Sequence, residues 1–137
     1  MHILLVESNP ADAFLMQDAF KEAGHAEKLT VFEDSALALE HLRGPESRHN
    51  LILLDLHVAP LSGFEFLTQL RSDSRRSWLP VIVMTGSENA RDIQEAYRRG
   101  ANCYIIKPGK LNDYLRCVKV CFEFWSSVAT LPPEHSA

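Results

Sequence analysis

Apolar residues in this chain fall into five short runs, each followed by a longer stretch of mixed apolar and polar residues. The runs cover residues 3–6, 28–32, 51–54, 81–84 and 103–106. Four of them are nearly continuous in Val, Ile and Leu, which is typical of strands buried on both faces of a parallel sheet. The run 28–32 is more mixed, so we expect it at an edge of that sheet.

The stretches between the runs carry the start and stop signals of helices. Asn9 is a good N-cap, Pro10 suits the first helical position, and Gly24 predicts an end after Ala23. The next three helices are predicted to start after Asp34, Ser62 and Ser87. The second is predicted to end near residues 44–45 and the fourth before Gly100, and a fifth helix is predicted over 111–128. This alternation predicts an α/β fold with a doubly wound, five-stranded parallel sheet.

The length of 137 residues fits one domain with its own hydrophobic core. We expect a single domain over residues 1–130 that ends in a C-terminal helical arm, followed by a short flexible tail over 131–137. Because no second module is predicted, any output must come from the surface of this domain.

The charge and the N-terminus narrow the class of protein. The formal net charge is −4, and such mild acidity argues against a nucleic-acid partner. The longest apolar runs are strand-sized, so no membrane span is predicted. Residues 1–6 lack the basic region and cleavage site of a signal peptide. We therefore expect a cytoplasmic protein.

The chain has three cysteines, Cys103, Cys117 and Cys121, and an odd number fits a reducing compartment. Cys117 and Cys121 stand four residues apart on the predicted fifth helix, but no histidine lies nearby at the spacing of a zinc ligand. We expect all three to be small core or interface residues.

Reactive side chains stand where four of the runs end. The first run is followed by Glu7 and Ser8, the third by Asp55, the fourth by Thr85 and Gly86, and the fifth by Lys107 and Pro108. In a doubly wound sheet, ligands bind beyond the carboxyl ends of the strands. Each of these residues is ordinary at a strand end, but together they predict one site at one edge of the sheet.

This set suits phosphoryl transfer to a carboxylate, a reaction that depends on positioning and on stabilisation of charge. Asp55 is the predicted nucleophile. Lys107 and Thr85 can each bind a phosphoryl oxygen. Mg²⁺ takes hard oxygen ligands, which Glu7, Asp55 and the backbone carbonyl of His57 can supply.

A family resemblance rests on five segments: ILLVESNP at 3–10, LLDLH at 53–57, Gly63, TG at 85–86 and YIIKP at 104–108. In this order they resemble the CheY-like receiver domains of response regulators, over nearly the whole chain. The resemblance implies a flavodoxin-like fold, a phosphoacceptor at Asp55, a switch hydroxyl at Thr85, a switch aromatic at Tyr104 and the lysine of the site at Lys107. It also implies Mg²⁺, a sensor histidine kinase as phosphodonor, a signalling rather than an enzymatic role, and a peptide before Pro108 that is often cis.

A narrower resemblance concerns segments 9–13, 100–104 and 124–132, which are similar to single-domain regulators paired with bacterial phytochrome kinases. It implies a light-sensing kinase as partner and a homodimer through the fourth and fifth helices or the C-terminal arm. The fifth helix supports a partner face, because its apolar positions lie on more than one side. One stripe consists of Leu111, Leu115, Val118, Phe122 and Trp125. The alternative is a helix simply sunk into the core.

Three positions depart from the family or leave alternatives open. Ser8 stands where the family has a second acid, which predicts weaker Mg²⁺ binding, with Ser8 acting only through water. The alternative is a pseudo-receiver, an interaction module without phosphorylation. Ala59 replaces the usual proline after the phosphoacceptor, which predicts a different loop. His57 is either a shield of the phosphoryl group or an exposed loop residue. The histidines at 2, 25, 41, 49 and 135 are predicted to lie on the surface.

Two other functions fit the fold class less well. An aspartate-nucleophile phosphohydrolase needs a second acid two residues after the nucleophile, where this chain has His57. A flavodoxin-like electron carrier needs a phosphate loop after the first strand, where this chain has Glu7, Ser8, Asn9 and Pro10.

Overall fold

The computed structural model describes residues 1–133, in which five strands alternate with five helices. The strands are β1 (Ile3–Val6), β2 (Leu29–Phe32), β3 (Leu51–Leu54), β4 (Val81–Thr85) and β5 (Cys103–Ile106). The helices are α1 (Pro10–Glu22), α2 (Ser35–Arg43), α3 (Gly63–Ser72), α4 (Ala90–Arg98) and α5 (Leu111–Glu123), with a short 3-10 turn at Ala26–Lys28 and a π-helical turn at Phe124–Val128. Residues 134–137 of the predicted tail, with His135, lie outside the described residues.

All five strands are parallel and stand in the order β2-β1-β3-β4-β5. The three central strands are completely buried, and β2 lies at an edge as its mixed composition predicted. The prediction was wrong for β5, which is only half-buried, with Ile106 39% exposed. Its apolar sequence resembles that of a central strand, but β5 forms the other edge and lacks a second neighbour.

The helices cover both faces of the sheet, which confirms the doubly wound fold. On one face, Phe66, Leu67 and Leu70 of α3 pack with residues of α2 and α4 against the sheet. On the other face, α1 and α5 contribute Met16, Phe20, Tyr114 and Val118 to a second core. Within residues 1–133 no helix combines the length and the apolar character needed to cross a membrane.

The predicted helix starts are confirmed at three caps and wrong at one. The side chains of Asn9, Asp34 and Ser62 each accept a backbone N–H in the first turn of α1, α2 and α3. In α4 the cap is Asn89, whose side chain accepts the N–H of Arg91. Ser87 lies too far upstream to be the cap, and its hydroxyl instead donates to Asp92, 2.6 Å away.

The fifth helix extends over the predicted range, because the π-helical turn continues α5 as far as Val128. Its buried residues differ in part from the predicted stripe. Leu111 is exposed, whereas Tyr114, which the stripe omitted, is buried in the core. Val120, Phe124 and Val128 expose their side chains, so one face of this helix remains apolar and open.

Two arginines donate hydrogen bonds to backbone carbonyls at the end of the sheet where the strands begin. The guanidinium of Arg71 donates to the carbonyls of Ser77, Leu79 and Gly100 and to the side chain of Asn102, over 2.6–3.0 Å. Gly100 has φ +106, and a Cβ there would lie 2.7 Å from Arg71 Nε, so only glycine fits.

Arg76, which is almost fully buried, makes the same kind of contact on the other side of α3. Its guanidinium donates to the carbonyl of Leu42 over 2.6 Å and to that of Gly44 over 3.3 Å. Both arginines therefore satisfy backbone carbonyls at helix ends and strand starts.

The expectation that the histidines lie on the surface was wrong for several of them. His41 and His49 are half-buried, with their Nε2 atoms 3.1 Å apart. Burial, with His41 and His2 nearby, lowers the pKa of His49 to about 4. His25 stacks on Phe122, with ring centroids 4.6 Å apart.

Two smaller expectations concern a peptide bond and the cysteines. The cis peptide bond found in residues 1–133 joins Ala59 to Pro60, not Lys107 to Pro108 as the resemblance implied. All three cysteines are free and half-buried beside the core of α1 and α5, as predicted for small core residues. Burial raises the pKa of Cys121 to about 12, which keeps its thiol protonated.

Candidate functional site

The predicted site residues meet at the end of the sheet where the strands finish. Glu7 follows β1, Asp55 follows β3, Thr85 ends β4, and Lys107 follows β5. Because β1, β3, β4 and β5 are consecutive and parallel, their last residues share one edge. Asp55 is 7% exposed and Glu7 3% exposed, so the carboxylates lie in a shielded pocket.

The ammonium group of Lys107 is the centre of this pocket. Its Nζ lies 2.6 Å from Asp55 Oδ2, 2.8 Å from Glu7 Oε1 and 2.8 Å from Asp12 Oδ2. A lysine ammonium has three N–H donors, and here each has a carboxylate partner. Three acidic side chains therefore share one ammonium group.

The carboxylate of Asp55 is held in one orientation by three donors. Its Oδ1 accepts the backbone N–H of His57 over 2.8 Å and the hydroxyl of Thr85 over 3.2 Å, while Oδ2 accepts from Lys107. Thr85 is completely buried, and the amide of Lys107 donates to its carbonyl over 2.8 Å. The backbone of β4 thus fixes both donors that flank Asp55.

Burial and the shared ammonium perturb the acids in opposite directions. Burial, with Asp55 nearby, raises the pKa of Glu7 to about 8, although Lys107 opposes the shift. Burial also acts to raise the pKa of Asp55, but the hydrogen bonds from Lys107 and His57 outweigh it and lower that pKa. The pKa of Lys107 is raised because its three carboxylates outweigh burial. Asp55 is therefore the ionised acid of the pair.

Sequence reasoning missed Asp12, which belongs to the same pocket. It lies in the first turn of α1, where the Asn9 side chain accepts its backbone N–H over 3.2 Å. Asp12 does not follow a strand, so the rule about strand ends did not point to it. Its contact with Lys107 depends on the direction that α1 takes after β1, which the sequence does not reveal. The available signal was an acid in the first turn of a helix that starts at the strand-end edge.

The loop after Asp55 passes close to the start of α3. A Cβ on Gly63 would lie 2.6 Å from the Cα of Leu56 and 2.9 Å from the carbonyl oxygen of Asp55. The amide of Gly63 donates to the carbonyl of Leu56 over 2.9 Å. Glycine at this position therefore lets the loop fold back beneath Asp55.

Three other predicted residues lie around the pocket. The hydroxyl of Ser8 donates to the carbonyl of Glu33 over 2.6 Å and accepts the amide of Ala59 over 3.2 Å. The side chain of His57 is exposed. Tyr104 is half-buried beside the core, and its hydroxyl donates to the carbonyl of Ser87 over 2.9 Å.

The pocket has the ligand atoms that a hard divalent cation prefers. One carboxylate oxygen each from Glu7, Asp12 and Asp55 lies within 4.8 Å of the others. Mg²⁺ binds carboxylate oxygens and retains several waters, so this donor set fits it. A cation would also offset the negative charge that Lys107 leaves unbalanced.

The fold is that of a receiver-type domain, and the comparisons with known proteins agree with this class. Residues 3–119 match the response regulator receiver domain family, and the chain belongs to that family.

Among curated relatives, "Probable methanogenesis regulatory protein FilR2" of Methanothrix harundinacea is 36% identical over 90% of this chain and 82% of its own length. The response regulator Rcp1 of Synechocystis is 33% identical over 95% of this chain and 92% of its own. The manganese-bound structure of Rcp1 matches with a TM-score of 0.85.

Among solved structures, the phosphorylated cyanobacterial phytochrome response regulator RcpA matches with a TM-score of 0.88 at 38% identity. The match covers 96% of this chain and 99% of RcpA. The similarity thus extends beyond the family segment into the C-terminal arm.

Proposed function

We propose that this receiver domain accepts a phosphoryl group on Asp55 from a sensor histidine kinase and signals through protein–protein contacts. The contact of Asp55 with Lys107 and Thr85 is the observation that carries the proposal. The likeness to Rcp1 and RcpA supports a phytochrome-type kinase as the partner. The cytosol is the compartment in which such a kinase would meet it.

In the transfer step, a carboxylate oxygen of Asp55 attacks the phosphorus of a phosphohistidine. The P–N bond breaks, and its electron pair stays on the imidazole of the kinase. Lys107 and Thr85, which hold the two oxygens of Asp55 at rest, are placed to bind oxygens of the transferred group. The ionised state of Asp55 keeps it ready to attack.

The residues that would hold Mg²⁺ are Glu7, Asp55 and the backbone carbonyl of His57, with Ser8 acting through a water. When bound, the cation neutralises charge on the phosphoryl oxygens. Ser8 has one remaining acceptor position after its bonds to Glu33 and Ala59, which is enough for a metal-bound water.

Output would follow from movement of Thr85 toward the phosphoryl group and of Tyr104 behind it. Tyr104 is held by a single side-chain hydrogen bond to the carbonyl of Ser87. Losing that bond costs about 1 kcal/mol, which contacts to a phosphoryl group can offset.

A pseudo-receiver is the second candidate, because Ser8 brings no charge and its hydroxyl is already bonded to the backbone of two loops. Acetyl phosphate with and without Mg²⁺, followed by intact mass measurement, separates the two. We expect a gain of one phosphoryl group that requires Mg²⁺, is absent in Asp55→Asn and persists in Asp113→Asn, an exposed aspartate on α5. No gain at high Mg²⁺ would favour the pseudo-receiver.

We also propose a homodimer through the apolar face near the C-terminal arm. Val128 is 71% exposed, and Phe124 and Val120 are exposed on the same helix. Light scattering after size exclusion should show a dimer for the wild type and a monomer for Val128→Glu. Leu37→Glu, which changes an exposed leucine on α2, should remain dimeric. A monomeric wild type in both phosphorylation states would contradict this interface.

A further inference from the structure

We infer that Asp12 replaces the acid missing at position 8 and serves as the third carboxylate for the divalent cation of this site. The inference rests on the proposed function, since it assigns a residue to the same cation. It also explains how a chain with Ser8 keeps a receiver site.

Asp12 lies in the same cluster of side chains as the two predicted ligands. Asp12 Oδ2 lies 2.8 Å from Lys107 Nζ, the same nitrogen that contacts Glu7 and Asp55. The ligand oxygens of the three acids lie within 4.8 Å of one another, a spread that one cation can span. Among residues 1–133, no other group of three potential metal-ligating side chains lies this close together.

The capped first turn of α1 fixes the position of the Asp12 backbone. Pro10 opens α1, and the side chain of Asn9 accepts the amides of Ala11 and Asp12. The first turn of the helix is therefore ordered before any ligand arrives. Asp12 itself is half-buried, so its carboxylate remains open to water on one side.

The acids of the pocket outnumber its cations. Lys107 balances one of the three, and the negative charge of the others, once ionised, lies in a pocket where Glu7 is 3% and Asp55 7% exposed. Such a site binds a divalent cation more tightly for each carboxylate it offers. Asp12 thus restores the charge count that Ser8 removes.

Ser8 brings no carboxylate to the cation, and its hydroxyl already makes two hydrogen bonds. Its hydroxyl donates to the Glu33 carbonyl and accepts the Ala59 amide, so it links the β2–α2 loop to the β3–α3 loop. Ser8 can therefore offer the cation only a water-mediated contact, and Asp12 is the third acid of the pocket.

Mn²⁺ is a suitable probe, because the free ion can be counted by electron paramagnetic resonance without any phosphorylation. Asp12→Asn should weaken Mn²⁺ binding about tenfold, since it removes one ligand charge. Asp18→Asn, on the same helix but outside the cluster, should leave the affinity within about twofold, as expected for a distant surface charge. Circular dichroism checks that both variants are folded.

Rescue and a double-mutant cycle sharpen the test. Adding Ser8→Asp to Asp12→Asn should recover most of the lost affinity, because the carboxylate total is restored. If Asp12 acted only by holding Lys107, its substitution would have no effect in a Lys107→Met background; we expect the about tenfold loss to persist there.

The outcomes also separate this inference from the proposed function. A wild type that binds Mn²⁺ and is phosphorylated, beside an Asp12→Asn variant of equal affinity, would overturn the role of Asp12 alone. A wild type that neither binds Mn²⁺ nor takes up phosphoryl would overturn both.

Discussion

The two ends of the sheet differ in how their charged side chains are paired. Where the strands begin, Arg71 and Arg76 point their guanidinium groups at backbone carbonyls of helix ends and loops. Where the strands finish, three carboxylates surround the single ammonium of Lys107. One end pairs its buried donors, and the other is left with excess negative charge.

This difference shows where the chain gains stability and where it accepts a cost for function. Hydrogen bonds from a charged donor to carbonyls that would otherwise be unsatisfied stabilise the fold. Acids held close together in a shielded pocket destabilise it until a cation or phosphoryl group is bound. Substitutions at the two ends should therefore have opposite effects on stability and on phosphorylation.

The largest expected effect is at the end where the strands begin. Arg71→Ala should lower the free energy of unfolding by about 3 kcal/mol, because it leaves the carbonyls of Ser77, Leu79 and Gly100 without their donor. Urea denaturation measures this. The exposed Arg75→Ala should change stability by less than about 0.5 kcal/mol. Phosphorylation of the folded Arg71 variant should persist; its loss would show that the two ends are coupled.

The second effect is a pH dependence that centres on His49, whose Nδ1 is buried without a partner. The folded pKa of His49 is about 4, below the value near 6.5 of an unfolded histidine. Between these values the unfolded chain binds more protons, so stability falls as the pH drops from about 6.5 to 4.

After a discount for partial exposure, this loss should be about 1–2 kcal/mol. Denaturation of the wild type and His49→Gln at pH 7 and pH 4.5 measures it. The variant should lose less stability than the wild type, and an equal loss would show that other groups set the acid response.

The third effect is at the site. Glu7→Gln should raise the free energy of unfolding by about 1 kcal/mol at pH 8, because burial raises the pKa of Glu7 and its charged form is unfavourable there. The same variant should bind Mg²⁺ more weakly. Glu22→Gln, at the exposed end of α1, is the matched control. A less stable Glu7→Gln variant would contradict the idea of excess charge.

The smallest effect concerns Tyr104, the proposed switch residue. Tyr104→Phe removes the hydrogen bond to the Ser87 carbonyl and should cost about 0.5–1 kcal/mol. Thermal unfolding measures that cost, while mass spectrometry should show phosphorylation unchanged. Loss of phosphorylation would place Tyr104 in the transfer step rather than in the output.

Much of this arrangement was predictable from the sequence, because parallel strands bring their last residues to one edge. That rule alone placed Glu7, Asp55, Thr85 and Lys107 together. The rule did not place Asp12 there, because a residue in α1 reaches this edge only if the helix has a suitable direction relative to the sheet.

Three other differences between the sequence predictions and the structure also have local causes. The burial of β5 depended on its having one neighbour rather than two, which composition does not reveal. The pairing of His41 with His49 depended on a loop returning to the end of α2. Ser87 and Asn89 are both good caps, but the helix begins after Asn89, and the Ser87 hydroxyl donates to Asp92 instead.

The two hydrogen bonds of Ser8 have a consequence for the route of the signal. They connect the loops after β2 and β3 to each other and to the end of β1, beside Asp55. On the opposite flank, the Thr85 hydroxyl donates to Asp55 itself, and the Tyr104 side chain has one hydrogen bond, to the carbonyl of Ser87. If Asp55 accepts a phosphoryl group, we expect these two side chains to move while the loops held by Ser8 stay in place, so the conformational change would reach α4 and β5 first.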